Sequence, residues 1–163
     1  MKSLLIVYHS RTGGSRQMAH AAEAAARDGG EARVQILEAT EAGPDDLLEA
    51  DGYLFVCPEN LAAISGEMKA FFDRAYYPVL GRIEGRPYAL MVCAGSDGEN
   101  AVRQMTRIAT GWRLKAVADP IIVCTRAQTP EAILAAKQIA PAELARCGEL
   151  GAALAAGLAM GIY

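Results

Sequence analysis

Apolar and polar positions along the chain follow two different spacings, and each spacing predicts a different element. Short apolar or alternating runs predict five strands, the last one interrupted at Asp119-Pro120: residues 3–8, 32–38, 52–57, 87–93, and 114–118 continued by 121–124. Segments with helical spacing lie between and after them: residues 15–28, 65–77, 99–110 and 141–163. The order β-α-β-β-α-β-α-β-α predicts an α/β protein whose parallel sheet is covered by helices on both faces.

Prolines and small polar residues predict where these elements begin and end. Ser15 is a candidate N-cap for the first helix, and Pro141 suits the first turn of the last helix. Residues 58–61 are expected to break the third strand, and Pro78 is expected to end the second helix. Residues 41–51 are expected to form a loop with one helical turn after Pro44.

Three polar loops follow strands one, three and four, and all three are expected at one edge of the sheet. They are residues 9–14, 58–63 and 94–98. Ligands of doubly wound sheets bind at the carboxyl ends of the strands. The first loop combines hydroxyls and glycines directly before a helix, which is typical of a phosphate site, because N–H groups and the helix N-terminus converge there. Ser10, Thr12 and Ser15 would add hydroxyl donors.

Composition limits the classes of function. The 163 residues suit one domain, predicted as 1–163, and the net charge of −3 with a pI near 5.4 offers no basic surface for nucleic acid. Residues 150–163 are apolar but too short to span a membrane, and residues 1–10 lack the pattern of a secretory signal. The four cysteines form no CxxC pair, so we predict reduced thiols, no metal site and a cytoplasmic location.

Two stretches carry a resemblance to a known family. The P-loop and dinucleotide glycine motifs are absent, whereas Ser10-x-Thr12-Gly13-x-Ser15 resembles the flavodoxin phosphate loop. Residues 57–78 include CPENL and SGEMKAFFDR. This segment is similar to the corresponding part of flavodoxin-like NAD(P)H-dependent FMN and quinone reductases. Both motifs occur in the family's order and at its spacing, and the predicted strand order agrees over nearly the whole chain.

The resemblance implies a fold, a cofactor and a set of binding residues. The fold would be a three-layer, doubly wound, five-stranded parallel sheet of flavodoxin type, with strand order 2-1-3-4-5. The cofactor would be FMN, with NAD(P)H as co-substrate in the reductases. The phosphate would bind Ser10, Arg11, Thr12, Gly13, Gly14 and Ser15. The flavin ring would lie beside Pro58, Glu59, Asn60 and Leu61 on one side and Ala94, Gly95, Ser96, Asp97 and Gly98 on the other.

Two redox functions and one non-redox function remain open at this point. A reductase would take hydride from NAD(P)H and reduce a quinone, flavin or similar small acceptor, with no catalytic side chain because the flavin accepts the hydride. A flavodoxin carrier would pass single electrons between protein partners. The sequence lacks three features that are usual in carriers of this family: aromatic residues in loops 58–61 and 94–98, a glycine in 58–61, and a strongly acidic net charge. The reductase is therefore favoured. The third hypothesis is an FMN- or phosphate-binding module with a regulatory or partner-binding role.

For several other residues, a structural role competes with a functional one. His9 adjoins the phosphate loop and is expected to be structural rather than a proton donor. Trp112 is expected either to pack in the core or to lie at a subunit contact. The reductases of this type are commonly dimers or tetramers, so a homo-oligomer is a further expectation, with the C-terminal helix as a second candidate contact.

Overall fold

A sheet of mostly parallel strands forms the middle layer of the molecule, and helices cover both of its faces. The computed structural model describes residues 1–163. The strands are β1 (Ser3–Tyr8), β2 (Arg33–Glu38), β3 (Gly52–Asn60), β4 (Ala63–Ile64), β5 (Pro87–Ala94), β6 (Lys115–Ala116) and β7 (Ile121–Cys124). The helices are α1 (Gly14–Asp28), α2 (Pro44–Glu49), α3 (Gly66–Val79), α4 (Glu99–Gly111), α5 (Pro130–Leu134) and α6 (Pro141–Met160). None of these helices is both long and apolar enough to span a membrane.

The sheet order confirms the predicted doubly wound fold. Parallel strands run β2-β1-β3-β5, and both β6 and β7 pair with the outer side of β5. The predicted fifth strand is therefore two short strands, separated where Asp119-Pro120 interrupts the apolar run. The two-residue strand β4 pairs antiparallel with the end of β3 and is too short to leave a sequence pattern.

Burial on both faces of the sheet explains why the central strands are continuously apolar. In β1, Leu5 and Val7 belong to the core on one face, whereas Leu4 and Ile6 belong to the core on the other. All four side chains are fully buried. Because successive residues of a strand point to opposite faces, a strand between two helical layers buries apolar side chains at consecutive positions.

Trp112 lies in the core and not at a subunit contact, since only 1% of it is exposed. Its indole N–H donates a 3.0 Å hydrogen bond to the carbonyl of Tyr76, and its ring stacks on the Tyr76 ring. A buried indole needs a partner for its one donor. This contact therefore fixes α3 against the end of α4.

Three predicted boundaries are wrong. Helix α1 begins at Gly14, with Gly13 as N-cap in the left-handed region (φ 96°), so Ser15 lies inside the first turn and is not the cap. Strand β3 continues through Pro58 to Asn60, because its last residues pair with β4. Pro78 lies inside the last turn of α3, one residue before the end, where its ring disturbs few helical bonds.

The loops and turns differ from expectation at two further places. The turn after Pro44 is a regular short helix, α2, in which Asp46 accepts a hydrogen bond from the N–H of Gly43. The chain between β7 and α6, for which the sequence pattern predicted no element, contains α5, capped by the Thr129 hydroxyl, which accepts from the N–H of Ala132 at 3.2 Å. The second difference matters for the site described next.

Candidate functional site

The loop between β1 and α1 forms one end of a cleft at the carboxyl edge of the sheet. Its backbone is held by the Ser10 hydroxyl oxygen, which accepts a 3.0 Å hydrogen bond from the N–H of Gly13. Because that oxygen is the acceptor, the Ser10 hydroxyl hydrogen remains free to donate to a ligand. Gly13 then turns the chain into α1 with a φ that favours glycine.

The first turn of α1 presents unpaired donors to this end of the cleft. The N–H groups of Gly14, Ser15 and Arg16 donate to no backbone carbonyl, as is usual for the first turn of a helix. The Ser15 hydroxyl lies among them. It is buried, with the residue 2% exposed, and it makes no hydrogen bond. A buried, unpartnered hydroxyl beside free N–H groups fits an anion that accepts from all of them.

A hairpin formed by β3 and β4 makes a second wall. Glu59 pairs with Ile64 and Asn60 with Ala63, so Leu61 and Ala62 form a two-residue turn. Both turn residues have positive φ, 50° and 61°, as a type I′ turn requires. The side-chain amide of Asn100 donates to the Ala62 carbonyl and thereby ties the tip of the hairpin to α4.

Replacing Ala62 with glycine is expected to stabilise the protein. An L-residue in the left-handed region destabilises the folded state by about 1–2 kcal/mol, and glycine would relieve this strain. The greater freedom of glycine in the unfolded chain offsets about 0.4–1 kcal/mol of that gain. We expect a net gain of about 0.5–1 kcal/mol in the free energy of unfolding, measured by urea denaturation. Ala63→Gly is the matched control: Ala63 has no positive φ, so it should lose stability. A loss in Ala62→Gly would show that the turn is not strained.

Glu59 places a buried carboxylate in the same wall. Its Oε1 accepts a 3.0 Å hydrogen bond from the N–H of Gly98, at the start of α4. Its Oε2 is buried and has no partner. An ionised carboxylate oxygen is an acceptor only, so it fits a ligand that presents an N–H or O–H at this point.

The loop after β5 contributes a third wall through only part of its length. Ala94, Gly95 and Ser96 line the cleft. Asp97 and Gly98 do not; Asp97 instead accepts a 3.3 Å hydrogen bond from the N–H of Glu99, in the first turn of α4. Gly13, in the first loop, likewise does not line the cleft but shapes the turn beside it.

A fourth wall was not anticipated from the sequence. It follows β7, whose carboxyl end opens onto the same edge, and consists of Thr125, Ala127, Gln128, Ile133 and Lys137. The Thr129-Pro130 pair, an N-cap followed by a good first helical residue, was the available signal for a short helix here. The whole cleft has a volume of about 340 Å³, which is in the range of small-molecule sites.

His9 joins the first loop to the start of α3 without lining the cleft. Its Nδ1 lies 2.9 Å from the Ser65 hydroxyl, and its Nε2 lies 3.5 Å from Glu67 Oε2. Ser65 is fully buried, so this Ser-His-Glu arrangement offers no accessible nucleophile. The contacts agree with the structural role expected for His9.

Burial makes three of the four thiols poor nucleophiles. It raises the pKa of Cys57 to about 12 and the pKa values of Cys93 and Cys147 to about 11. Cys93 lines the cleft, whereas Cys124 is the exposed cysteine. Because the thiolate is the reactive form, we expect iodoacetamide at pH 8 to alkylate native protein at Cys124 alone, as mapped by mass spectrometry.

Labelling under denaturing conditions provides the control for this prediction. In urea all four cysteines should react, and Cys124→Ser should leave the native protein unlabelled. Rapid labelling of Cys93 in the native protein would show that the cleft holds a reactive thiol. It would contradict the prediction that Cys93 is unreactive.

Comparison with known proteins agrees with the fold. The family model of NADPH-dependent FMN reductases matches residues 31–129. A flavodoxin from Aquifex aeolicus is 33% identical over 107 residues, which is 65% of this chain and 58% of the relative. The matched part of this chain thus spans little more than half of that relative's length.

Solved structures are similar over nearly the whole chain. The flavodoxin-type, WrbA-like protein of Agrobacterium tumefaciens superposes with a TM-score of 0.76 at 19% identity, covering 99% of both chains. Rubredoxin:oxygen oxidoreductase of Desulfovibrio gigas superposes with a TM-score of 0.80 at 14% identity, covering 99% of this chain and 37% of that one. At these identities the likeness concerns the fold.

The doubly wound sheet and its hydroxyl-rich first loop define a flavodoxin-like protein. The chain belongs to the NADPH-dependent FMN reductase family, within the flavodoxin-like FMN oxidoreductases.

Proposed function

We propose that the protein binds FMN in this cleft and uses it to transfer electrons from NAD(P)H to a quinone, a flavin or a similar small acceptor. One observation carries the proposal: two buried polar groups, Ser15 Oγ and Glu59 Oε2, have no partner within the chain, and both residues line the same cleft. Unsatisfied buried groups are costly, so a ligand that satisfies both stabilises the site.

FMN has the groups that these two residues lack. Its phosphate accepts hydrogen bonds, which suits the hydroxyls of Ser10, Thr12 and Ser15 and the free N–H groups of α1. Its isoalloxazine ring carries an N–H, which suits Glu59 Oε2, and carbonyls, which suit backbone donors of the surrounding loops. The remaining proposed contacts are the sequence-predicted residues that also line the cleft: Arg11, Gly14, Pro58, Asn60, Leu61, Ala94, Gly95 and Ser96. Gly13, Asp97 and Gly98, also predicted from the sequence, do not line it and are proposed only to shape the adjoining turns.

The chain's own contribution is binding, orientation and access. Bound FMN supplies the electron transfer through its ring. The net reaction would be NAD(P)H plus a proton plus a quinone giving NAD(P)⁺ and a hydroquinone. No aromatic side chain lines the cleft, and the apolar rim consists of Leu61, fully exposed, and Ile133, half exposed. A ring face not stacked on an aromatic residue leaves room for a nicotinamide or a quinone.

A flavodoxin-type electron carrier is the second candidate, and the similarity to the Aquifex aeolicus flavodoxin favours it. Carriers dock on partner proteins through the cofactor edge, and electrostatic steering strengthens such docking. The net charge of −3 is modest for that purpose. The aliphatic rim and the low charge together lead us to prefer the reductase.

The two candidates give different results in one experiment. The FMN-loaded protein is mixed anaerobically with NADPH or NADH, and the flavin absorption near the visible maximum is followed by stopped flow. Rapid bleaching, followed by recovery when a quinone is added, is expected for the reductase. No bleaching, together with chemical reduction in two separate one-electron steps, would support the carrier. A protein that takes up no FMN would exclude both.

A further inference from the structure

We propose that Lys137 is a positioning residue for the cofactor phosphate: it places a positive charge beside the first loop and directs the Thr12 hydroxyl hydrogen at the ligand. The inference rests on the proposed function, because it concerns the same cleft. It adds a residue from the far end of the chain, outside the matched family segment, to a cradle whose other members are N–H groups, hydroxyls and the exposed Arg11.

The backbone of Lys137 is fixed on the first loop. Its N–H donates a 2.9 Å hydrogen bond to the Thr12 carbonyl. Gln17 strengthens the attachment: its Nε2 donates to the Lys137 carbonyl at 2.8 Å, and its Oε1 accepts from the N–H of Ile139 at 3.0 Å. The position of Lys137 is therefore set by α1 and its loop, and not by α5 alone.

The side chain returns to the same loop. Lys137 Nζ lies 3.3 Å from Thr12 Oγ1, and it donates to the carbonyls of Ile133 at 2.8 Å and Ala135 at 2.6 Å. An ammonium group has three hydrogens and no acceptor, so Thr12 Oγ1 must accept from it. The Thr12 hydroxyl hydrogen is then free to donate to a ligand in the cleft, which Thr12 lines.

The charge of Lys137 has no acidic partner. None of the chain's ion pairs includes it, and its neighbours at Nζ are neutral oxygens. The acidic residue that lines the cleft is Glu59. It lies in the hairpin wall, not in the wall that contains Lys137, and accepts a hydrogen bond from the N–H of Gly98. The cleft thus has a cation at the first loop and an acceptor in the hairpin wall, and this polarity favours a ligand with an anion at one end and an N–H at the other.

A purely structural role makes a different prediction. If Lys137 only capped the carbonyls of α5, its loss would loosen the fourth wall and weaken any flavin equally. If it acts on the phosphate, its loss would weaken FMN but not riboflavin, which lacks the phosphate. The comparison of the two flavins therefore separates the roles.

The experiment titrates apoprotein with FMN and with riboflavin, following the quenching of flavin fluorescence. Lys137→Met is expected to raise the Kd for FMN by about tenfold to a hundredfold, the range for losing the Thr12 hydroxyl's hydrogen bond to a charged phosphate, while riboflavin changes less than about twofold. The salt dependence of FMN binding should also become shallower. Lys137→Arg, which keeps the charge, should remain within about threefold of wild type.

A control variant and one overturning result complete the test. Lys115→Met removes an exposed lysine on β6, distant in the sheet from the first loop, and should leave both affinities unchanged. Equal weakening of FMN and riboflavin in Lys137→Met, or no weakening of either, overturns the role of Lys137 while leaving FMN binding intact. If wild-type protein binds neither flavin, the proposed function fails instead.

Discussion

Thr12→Asp is expected to lower the affinity for FMN by about three orders of magnitude. Thr12 lines the phosphate end of the cleft, and a carboxylate there would face a doubly charged phosphate. Two unit charges 4 Å apart repel by about 4 kcal/mol at the effective dielectric of a protein surface, which corresponds to about a thousandfold in Kd. The introduced carboxylate would also pair with Lys137, because Lys137 Nζ lies 3.3 Å from Thr12 Oγ1 in the wild-type protein.

Thr12→Asn is the matched control, because asparagine has nearly the same shape as aspartate without the charge. It is expected to weaken FMN by about tenfold or less, since its amide still offers a donor. Riboflavin should bind both variants alike. Kd values come from fluorescence titration of apoprotein, and unchanged flavin content in purified Thr12→Asp would place the phosphate away from this loop.

Gly151→Ala is expected to destabilise the protein by about 3 kcal/mol, near the upper end for an overpacked core. Gly151 lies on the face of α6 that packs against α1, and a Cβ there would overlap the backbone carbonyl of Ala22. Backbone cannot rotate away as a side chain can, so the two helices would have to separate. The free energy of unfolding from urea denaturation measures the loss.

Gly148→Ala provides the comparison on the same helix. A Cβ at residue 148 would meet the Ala25 side chain at 3.4 Å, which is ordinary van der Waals contact. Alanine is a better helix former than glycine by about 1 kcal/mol, so this variant should be neutral or slightly more stable. Equal losses in the two variants would mean that the helices, α1 and α6, are not in this close contact.

The fold could be predicted from the sequence because the residue pattern of each central strand follows directly from its burial. The continuous apolar run of β1 is what burial under two helical layers requires, and the order of strands and helices leaves few right-handed arrangements. The polar loops after β1, β3 and β5 could likewise be assigned to one edge. Three of the four cleft walls follow from this, although FMN binding by their residues stays a prediction.

The parts that could not be predicted depend on tertiary contacts. Pro58 marks a strand end by local rules, yet β3 continues past it because β4 offers a partner. Ser15 has the preferred chemistry of a helix cap, but Gly13, with its positive φ, occupies that position. Lys137 carries no local signal at all: its relation to Thr12 spans 125 residues and exists only because the chain after β7 folds back.

That long separation has a consequence for biosynthesis. The first loop emerges from the ribosome well before the fourth wall and before α6, which packs against α1. The cleft is therefore incomplete until the 125 residues that separate Thr12 from Lys137 have been made. Contacts so distant in sequence also slow folding. Without a ligand, the largely exposed β7–α6 connection lacks the stabilisation that binding gives, and we expect limited proteolysis to cut there first.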